Sequence, residues 1–407
     1  MSLRLVDETF ILAAMQTRAA PKDKVLTILL HAVFFFSGIA TVLIGQVLPF
    51  IAARFQLNDL ESGYLFPAQY AGSLTGTLLT NWLGRQGRLI PASAVGGLLM
   101  AIGISMLNLG SYEIVLIAFL INGLGVGLTL PAINVLILEH DPQNSGSALN
   151  FLNFFWGLGA IVSKPLTDFT VQGTSLVVTT LCLSVPLIVL SIAIFLLPSP
   201  AEARVKPRSE SSEELTPIWS NPLAWAIALF AFIHVGFESG IGGWLTTYSD
   251  RIEGPAATRL VTPTFLFFLF FIVGRGIAPT FFRYLDENKV IFISLLVILT
   301  GLALILTASE TLQLGIGGAL CGFGTSSVFP TNVSRFSKAF GADAMRRATP
   351  LFLSGTLGAT AVTWLIGFLS QRFGDLRSGM YVLAASIVLL IILQTALGLF
   401  SRRKAVP

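Results

Sequence analysis

The stretch GLGVGLTLPAINV, residues 123–135, is apolar, rich in glycine and interrupted by a proline, and the chain contains it twice in similar form. The second copy, GFGTSSVFPTNV, residues 322–333, repeats the Gly-x-Gly pair and places its proline at the same offset. Each copy lies in a long apolar run, one in each half of the chain. Helix-breaking residues at equivalent places in two halves indicate an internal repeat, so we expect two related halves.

The composition excludes an ordinary soluble protein. Hydrophobic residues make up 54% of the 407 residues, charged residues only 11%, and the mean hydropathy is +0.80. Soluble domains carry roughly 25% charged residues, so most of this chain lies in lipid. The formal net charge of +4 does not indicate nucleic acid binding, because the basic residues lie in short loops. Cys182 and Cys321 both fall in apolar runs, which argues against a disulfide framework and a metal site.

A helix needs about 20 apolar residues to cross the hydrocarbon core of a bilayer. Twelve runs meet this length, and several contain glycine and proline, which membrane helices tolerate. The sequence therefore predicts an all-α membrane protein with twelve transmembrane helices in two pseudo-symmetric six-helix bundles. The runs are residues 25–50, 62–83, 89–109, 112–138, 147–168, 174–197, 219–248, 260–282, 289–308, 311–334, 348–371 and 378–400.

The distribution of basic residues orients these helices. Eighteen of the 25 Lys and Arg residues lie on the side of the N-terminus, five lie on the other side, and two lie within runs. The positive-inside rule then places both termini in the cytoplasm, and we expect a multi-pass protein of a bacterial inner membrane. The predicted segments are a cytoplasmic tail (1–24), an N-terminal bundle (25–197), a polar cytoplasmic linker (198–218), a C-terminal bundle (219–401) and a second tail (402–407).

Several motifs resemble those of known membrane proteins. The segment NWLGRQGR, residues 81–88, resembles the Asp-Arg-x-Gly-Arg loop signature of the major facilitator superfamily, with Gly84 in place of the Asp. Four more stretches resemble the fucose–galactose–glucose symporter family and the related sodium-dependent glucose transporter group. They are SGSALNFLNFFWGLGAI (145–161), HVGFESGIGGW (234–244), VGRG (273–276) and SSVFPTNVSRFS (326–337). The resemblance implies the twelve-helix fold of that superfamily and transport of a monosaccharide.

Two departures from the resemblance concern proton coupling. The proton symporters of that family carry one acid four positions before the proline of span 1, which is Gly45 here. Their second acid, in span 4, corresponds to a position near Leu128. Neither residue is a carboxylate, so the resemblance does not carry that route of proton coupling over to this chain.

Ionisable residues inside a membrane helix are costly and mark candidate functional sites. His234 and Glu238 lie four residues apart on one helix face. Glu238 is a candidate for a cation or proton site or for a sugar-hydroxyl acceptor; alternatively, Arg275 neutralises it and holds two helices together. Lys164 and Asp168 share one face near the end of span 5, where we expect an interfacial salt bridge with the lysine reaching towards water.

Arg85 and Arg88 are candidates for a gate, because paired arginines at the end of one half can bind helix ends of the other half. The alternative is that they only anchor the helix at the membrane surface.

Uncharged polar and aromatic residues predict the solute site. Sugar hydroxyls need both donors and acceptors, and the C–H face of a sugar ring packs on an aromatic surface. Asn153 and Trp156 offer both, although an amide can also join helices and an indole can simply pack. The predicted substrate-binding residues are Gln46, Gln69, Asn122, Asn153, Trp156, Glu238, Trp244, Thr331 and Asn332, and the coupling or gating residues are His234, Glu238, Arg275, Arg85 and Arg88.

These observations predict a secondary transporter of a neutral, hexose-like sugar that works by alternating access. Its coupling ion is sodium or a proton, or it has none; we expect no organic cofactor, no nucleic acid partner and a monomer in lipid. An exporter of hydrophobic or drug-like compounds is the alternative within transport. An enzyme fits poorly, because the dense polar cluster Glu139-His140-Asp141 lacks metal-ligand spacing, and a receptor without transport also remains open.

Overall fold

A computed structural model describes residues 21–140, 145–197, 218–253, 261–341 and 347–403. Most of the expected N-terminal tail, nearly all of the expected linker and the last four residues lie outside these ranges, as does Asp141. The boundaries predicted for the tails and for the linker therefore stay predictions.

The described residues form long helices and a short 3-10 turn (Ile218–Ser220), with one isolated bridge between Gln172 and Ser175. Twelve crossings are built from thirteen α-helices, because the tenth crossing is broken into two. In chain order the helices are α1 Pro21–Phe55, α2 Asp59–Arg85, α3 Leu89–Met106, α4 Tyr112–His140, α5 Ser145–Thr170, α6 Val177–Leu196, α7 Pro222–Glu253, α8 Pro263–Phe281, α9 Glu287–Leu306, α10 Thr311–Thr325, α11 Val328–Phe340, α12 Thr349–Phe373 and α13 Leu376–Arg403.

Ten crossings in the described part of the chain are long and apolar enough to span a membrane on their own, with α10 and α11 counted as one. The other two are α2 and α5. Both are long enough, at 27 and 26 residues, because a helix rises about 1.5 Å per residue. Their polar residues lower the hydropathy, and two of those in α2, Asp59 and Tyr70, contact the other half.

Some helix boundaries differ from the sequence prediction. α1 already begins at Pro21 and continues to Phe55. α2 begins at Asp59 because Asn58 and Glu61 form a reciprocal capping box, with both N···O distances 2.9 Å. The predicted single helix over 311–334 is instead interrupted at Ser326 and Ser327.

The internal repeat acts through backbone-to-backbone packing. A Cβ added at Gly123 of α4 would overlap the carbonyl of Gln69 in α2, and one added at Gly322 of α10 would overlap the carbonyl of Phe267 in α8. The fourth crossing thus packs on the second, and the tenth packs on the eighth, through equivalent glycines. Glycine allows this close approach because it has no side chain.

The two halves meet chiefly at one end of the molecule, which we call the distal end. It is the end at which α1, α7 and α12 finish and α2 begins. The hydrogen bonds of Gln46 with Thr246 and of Asp59 with Arg251 and Ser370 join the halves there. The opposite end, at which α6 finishes and α7 begins, is called the linker end.

Candidate functional site

Glycines close the distal end by letting backbones of the two halves touch. A Cβ added at Gly45 of α1 would lie 2.5 Å from the carbonyl oxygen of Gly242 in α7, and one at Gly243 would lie 2.6 Å from the ring of Phe66. A Cβ added at Gly63 of α2 would lie 3.4 Å from the Cα of Gly367 in α12. We call this set of contacts the distal seam. Its closeness leaves no room there for a solute.

An ionic contact reinforces the seam at its outer edge. Asp59, in the first turn of α2, pairs with Arg251 of α7 through both carboxylate oxygens, one of them at 2.9 Å. The Ser370 hydroxyl of α12 also donates to Asp59. One carboxylate therefore joins its own half to two helices of the other half.

A buried polar contact lies deeper in the seam. The Thr246 hydroxyl donates to Gln46 Oε1 at 3.0 Å and lies 2.9 Å from the Thr264 hydroxyl. Gln46 Nε2 has no partner among the described residues. Trp244 is fully buried, packs against Phe66 with the two rings tilted by 35°, and donates its N–H to the Thr363 carbonyl at 3.0 Å.

Gln46 and Trp244, which the sequence assigns to substrate binding, thus belong to the closed seam in this conformation.

One helical turn towards the linker end, side chains from both halves converge. Tyr70 of α2 follows Phe66 on the same face, and Glu238 and Ser239 of α7 precede Gly242 and Gly243. Tyr70 contacts the Ser239 hydroxyl and interacts electrostatically with Glu238. Glu238 is half-buried and makes no ion pair within 4 Å in the described part of the chain.

Arg275 of α8 supplies the positive charge nearest to Glu238. The two groups interact electrostatically without direct contact. The guanidinium instead donates to the Ser326 carbonyl at 3.4 Å and stacks over Phe271 at 4.2 Å. The Ser326 carbonyl is available because the tenth crossing is broken there. The sequence interpretation of a neutralising Glu238–Arg275 pair thus has electrostatic support but no salt bridge in this conformation.

His234 lies one turn from Glu238 on α7 and is fully buried. Its ring stacks parallel to Phe230 at 6.5 Å, and neither ring nitrogen has a partner among the described residues. The hydrogen bond to Glu238 that the i,i+4 spacing allows is absent here.

Asn153 and Trp156 approach the same region from α5. Both are half-buried, and α5 abuts α8 where Gly157 meets the side chain of Ile272. The Asn153 amide donates to its own helix at Leu149, with an N···O distance of 2.8 Å, so its oxygen remains for another donor. The Trp156 indole N–H has no partner in the described structure.

Six residues from four helices and both halves thus form a central polar group: Tyr70, Asn153, Trp156, Glu238, Ser239 and Arg275.

Gln69 and Asn122 brace α1 rather than point freely into this region. Gln69 donates to the Thr41 carbonyl at 2.9 Å, and Asn122 donates to the Ala40 carbonyl at 3.1 Å. Both side chains are almost fully buried, and the amide oxygen of each accepts no hydrogen bond from a described residue. Their amide groups fix the position of α1 against α2 and α4, which is a helix-joining role.

Thr331 and Asn332 are also engaged in packing. The Thr331 hydroxyl donates to Ser327 on its own crossing at 2.6 Å, and the Asn332 amide donates to Ile227 of α7 at 3.0 Å. Both are buried. Contact with a solute would require α11 to move.

Arg85 and Arg88 lie at the linker end, on either side of a tight turn that Gly87 forms at φ 71°. Both side chains are exposed, and neither forms a hydrogen bond or ion pair within the described part of the chain. Two unpaired arginines at the end where the halves are less closely joined fit a gate in its open position.

Gly45 occupies the first position at which the resemblance predicts a coupling acid, and the packing there requires a small residue. A Cβ at Gly45 would already lie 2.5 Å from the Gly242 carbonyl oxygen, so a carboxylate could not fit while the distal end is closed. Leu128, at the second position, is buried in the α4 interface.

Two parts of the site were not anticipated from the sequence. Tyr70 was missed, although its spacing of one turn from Phe66 and its place beside Gln69 were available as signals. The Asp59–Arg251 contact was missed because the partners lie 192 residues apart, and no local pattern indicates which helix ends meet.

Comparisons with known proteins agree with this architecture. The family model of the Major Facilitator Superfamily matches residues 30–355. Sodium-dependent glucose transporter 1 of Xenopus laevis is 22% identical over 385 residues, covering 87% of this chain and 78% of that protein. The glucose/mannose transporter GlcP of Bacillus subtilis is 23% identical over 377 residues, covering 88% and 91%. A solved structure of a mutant of the nucleoside transporter NupG shares the fold, with TM-score 0.77 and 13% identity, covering 91% and 99%.

Proposed function

Because the chain belongs to the Major Facilitator Superfamily, we propose that it moves a neutral sugar of hexose size across the membrane by alternating access. The observation that carries this proposal is the central polar group. It combines uncharged donors and acceptors with one acid, one base and an indole ring. A sugar needs this mixture, because its hydroxyls both donate and accept hydrogen bonds and its ring packs on aromatic surfaces. The names of the two relatives, which mention glucose and mannose, support the same class.

The closed distal end suggests which step of the cycle the structure represents. We place the linker end in the cytoplasm, as the excess of Lys and Arg on that side predicts. The protein is then inward-facing, and the solute reaches Asn153 and Trp156 from the cytoplasmic side. Parting of the seam and closure of the linker end complete the exchange, with Arg85 and Arg88 as the gate at the linker end.

Glu238 is the proposed coupling site. It is a carboxylate in the middle of a membrane crossing, and its nearest cation, Arg275, is not in direct contact. A sodium ion or a proton bound at Glu238 competes with the charge of Arg275. Release of that ion strengthens the attraction between the two side chains, which lie on adjacent helices of one half.

The direct test is uptake of radiolabelled glucose by proteoliposomes, together with counterflow, which needs solute binding but no ion gradient. We expect saturable counterflow by the parent protein and loss of most of it in Trp156→Ala. Trp82→Ala is the matched control, because Trp82 is 57% exposed on the outside of α2 and should leave transport unchanged. We expect Glu238→Gln to retain counterflow but to lose gradient-driven accumulation, whereas Glu113→Gln, at an exposed acid, should retain both.

Competition identifies the solute class. Mannose, fucose, xylose and uridine are added in excess to the glucose counterflow assay. Inhibition by hexoses supports the proposal. Absence of glucose counterflow, combined with uridine transport, would contradict the sugar assignment and favour a nucleoside carrier.

A further inference from the structure

Two side chains of α5 form a buried ion pair, away from the central polar group. Lys164 Nζ contacts Asp168 Oδ1, and the two side chains are only 4% and 8% exposed. The second carboxylate oxygen of Asp168 and the hydroxyl of Ser163 have no partner among the described residues. The expected salt bridge between Lys164 and Asp168 is thus present, but the expectation that the lysine reaches water is wrong, because protein encloses it.

Such a pair is costly to keep. Removing two charges from water costs several kcal/mol per ion, and an apolar pair of similar volume is often as stable or more stable. Within a membrane crossing the cost is a reason to look for a function. A carboxylate with one oxygen still available is consistent with a second ligand in another state of the protein.

The pair faces the other half of the molecule. Gly157 of α5 contacts Ile272 of α8, and Lys164 lies two turns further along the same face of α5. Asp168 follows one turn later. The polar stripe that begins at Asn153 in the central polar group therefore continues to the distal end on the side of α5 that meets the C-terminal half.

The packing of α1 against α5 shows how far along the bundle the ion pair lies. Gly38 of α1 lies against the backbone of Trp156 in α5, and both helices run from the linker end to the distal end. Eight residues further along each helix lie Gln46 and Lys164, about 12 Å from that contact. Gln46 is part of the closed seam through its bond with Thr246. The ion pair thus lies at the level of the seam.

Few other charges act on Asp168. Among the described residues of the helices packed against α5, the titratable or charged groups towards the distal end are Arg54, Tyr112, Glu113 and the exposed Cys182. The Arg54 guanidinium donates to the carbonyls of Leu107 and Asn108, which follow α3. Within the described structure, Lys164 is the charged group that interacts with Asp168.

We propose that Asp168 is a binding site for a monovalent cation, occupied only when the distal seam is open. In the closed state the ammonium group of Lys164 fills the role of that cation. When the seam parts, water reaches the pair, a proton or a sodium ion takes the place of the ammonium at the carboxylate, and Lys164 is solvated. A ligand that binds only the open state shifts the population towards it. This regulation of the closure step goes beyond the proposed sugar transport and does not depend on the identity of the solute.

The opening of the seam can be measured without any transport. In a Cys182→Ser background, Gly110→Cys and Glu310→Cys place spin labels on exposed distal positions of the two halves, while Cys321 stays fully buried. Double electron–electron resonance of the purified protein then gives the fraction with an open distal end. It is recorded at several pH values, and in sodium chloride against choline chloride at equal ionic strength.

We expect the ratio of open to closed protein to rise about tenfold when the effective cation reaches ten times its Kd. A rise at low pH identifies the proton, and a rise in sodium chloride at constant pH identifies sodium. The double variant Lys164→Met/Asp168→Asn, which leaves no unpaired charge, should lose this dependence. Asp168→Glu should keep it with a shifted midpoint, which covers the case in which the double variant does not fold.

Asp59→Ala is the matched control at the other ionic contact of the seam. It should raise the basal open fraction and keep the dependence on the cation. The proposal is overturned if the double variant retains the dependence of the parent, or if the parent responds to neither cation. Failure of the sugar proposal looks different, because glucose then leaves the distances unchanged while the cation response persists.

Discussion

Replacing Asp59 by alanine should move the protein towards the state with an open distal end. The carboxylate joins α2 to Arg251 of α7 and to Ser370 of α12. The side chain of Arg251 is 47% exposed, so its ion pair contributes about 0.5 kcal/mol. The Asp59 side chain is 13% exposed, so some water reaches its bond with the Ser370 hydroxyl, and that bond contributes about 1 kcal/mol, the usual net value of an intramolecular hydrogen bond. The sum, about 1.5 kcal/mol, lowers the ratio of closed to open protein roughly tenfold.

The spin-label pair at positions 110 and 310 measures this ratio directly. Glu113→Ala is the control, because Glu113 is also an acid in the first turn of a helix at the distal end but is exposed and joins no second half. An unchanged distance distribution in Asp59→Ala, or an equal shift in Glu113→Ala, would refute the role assigned to this contact.

Three further outcomes follow from other contacts. Gly45→Ala should prevent full closure of the seam and raise the open fraction, because its Cβ would lie 2.5 Å from a backbone oxygen of α7. Gly276→Ala is the control and should leave the open fraction unchanged, because a Cβ added there would meet no atom within 4 Å. Trp244→Phe should lower the free energy of unfolding by about 1–2 kcal/mol because the Thr363 carbonyl loses its donor; denaturation monitored by circular dichroism checks this, and Trp82→Phe should cost nothing. The backbone N–H of Lys289 donates to Asp286 at the start of α9 and lowers the pKa of that carboxyl. This cap therefore stabilises the protein above the ordinary pKa of an aspartate, and the stabilisation is lost as pH falls through the lowered pKa. The difference in melting temperature between the parent and Asp286→Ala should thus vanish in acid.

The crossings and the equivalent helix contacts inside each half could be predicted from the sequence because both depend on local pattern. Apolar runs of bilayer length define the helices, and the repeated glycines at 123 and 322 mark where two backbones touch. The physical cause is the same in each case: lipid requires a fully hydrogen-bonded backbone, and close helix packing requires small residues.

The site was less accessible to sequence reasoning because it depends on the conformation and on distant partners. Gln46 and Trp244 have the chemistry of solute ligands, yet the closed seam uses both for packing. The surroundings of Lys164 could not be predicted either, because a lysine near a helix end has the same local sequence whether lipid headgroups or protein surround it. The break at Ser326 was equally hidden, because serine does not by itself end a helix.

That break divides the tenth crossing into two pieces with different attachments. α10 is locked to α8 through Gly322, whereas α11 is a separate helix of 13 residues. It is held to other elements by the hydrogen bond of Asn332 with α7, the ion pair of Lys338 with Glu287 of α9 and the burial of Phe336 against Trp219. Because the two pieces have different attachments, α11 can pivot at Ser326 and Ser327 at the linker end while α10 stays in place, together with Arg275, which donates to the Ser326 carbonyl.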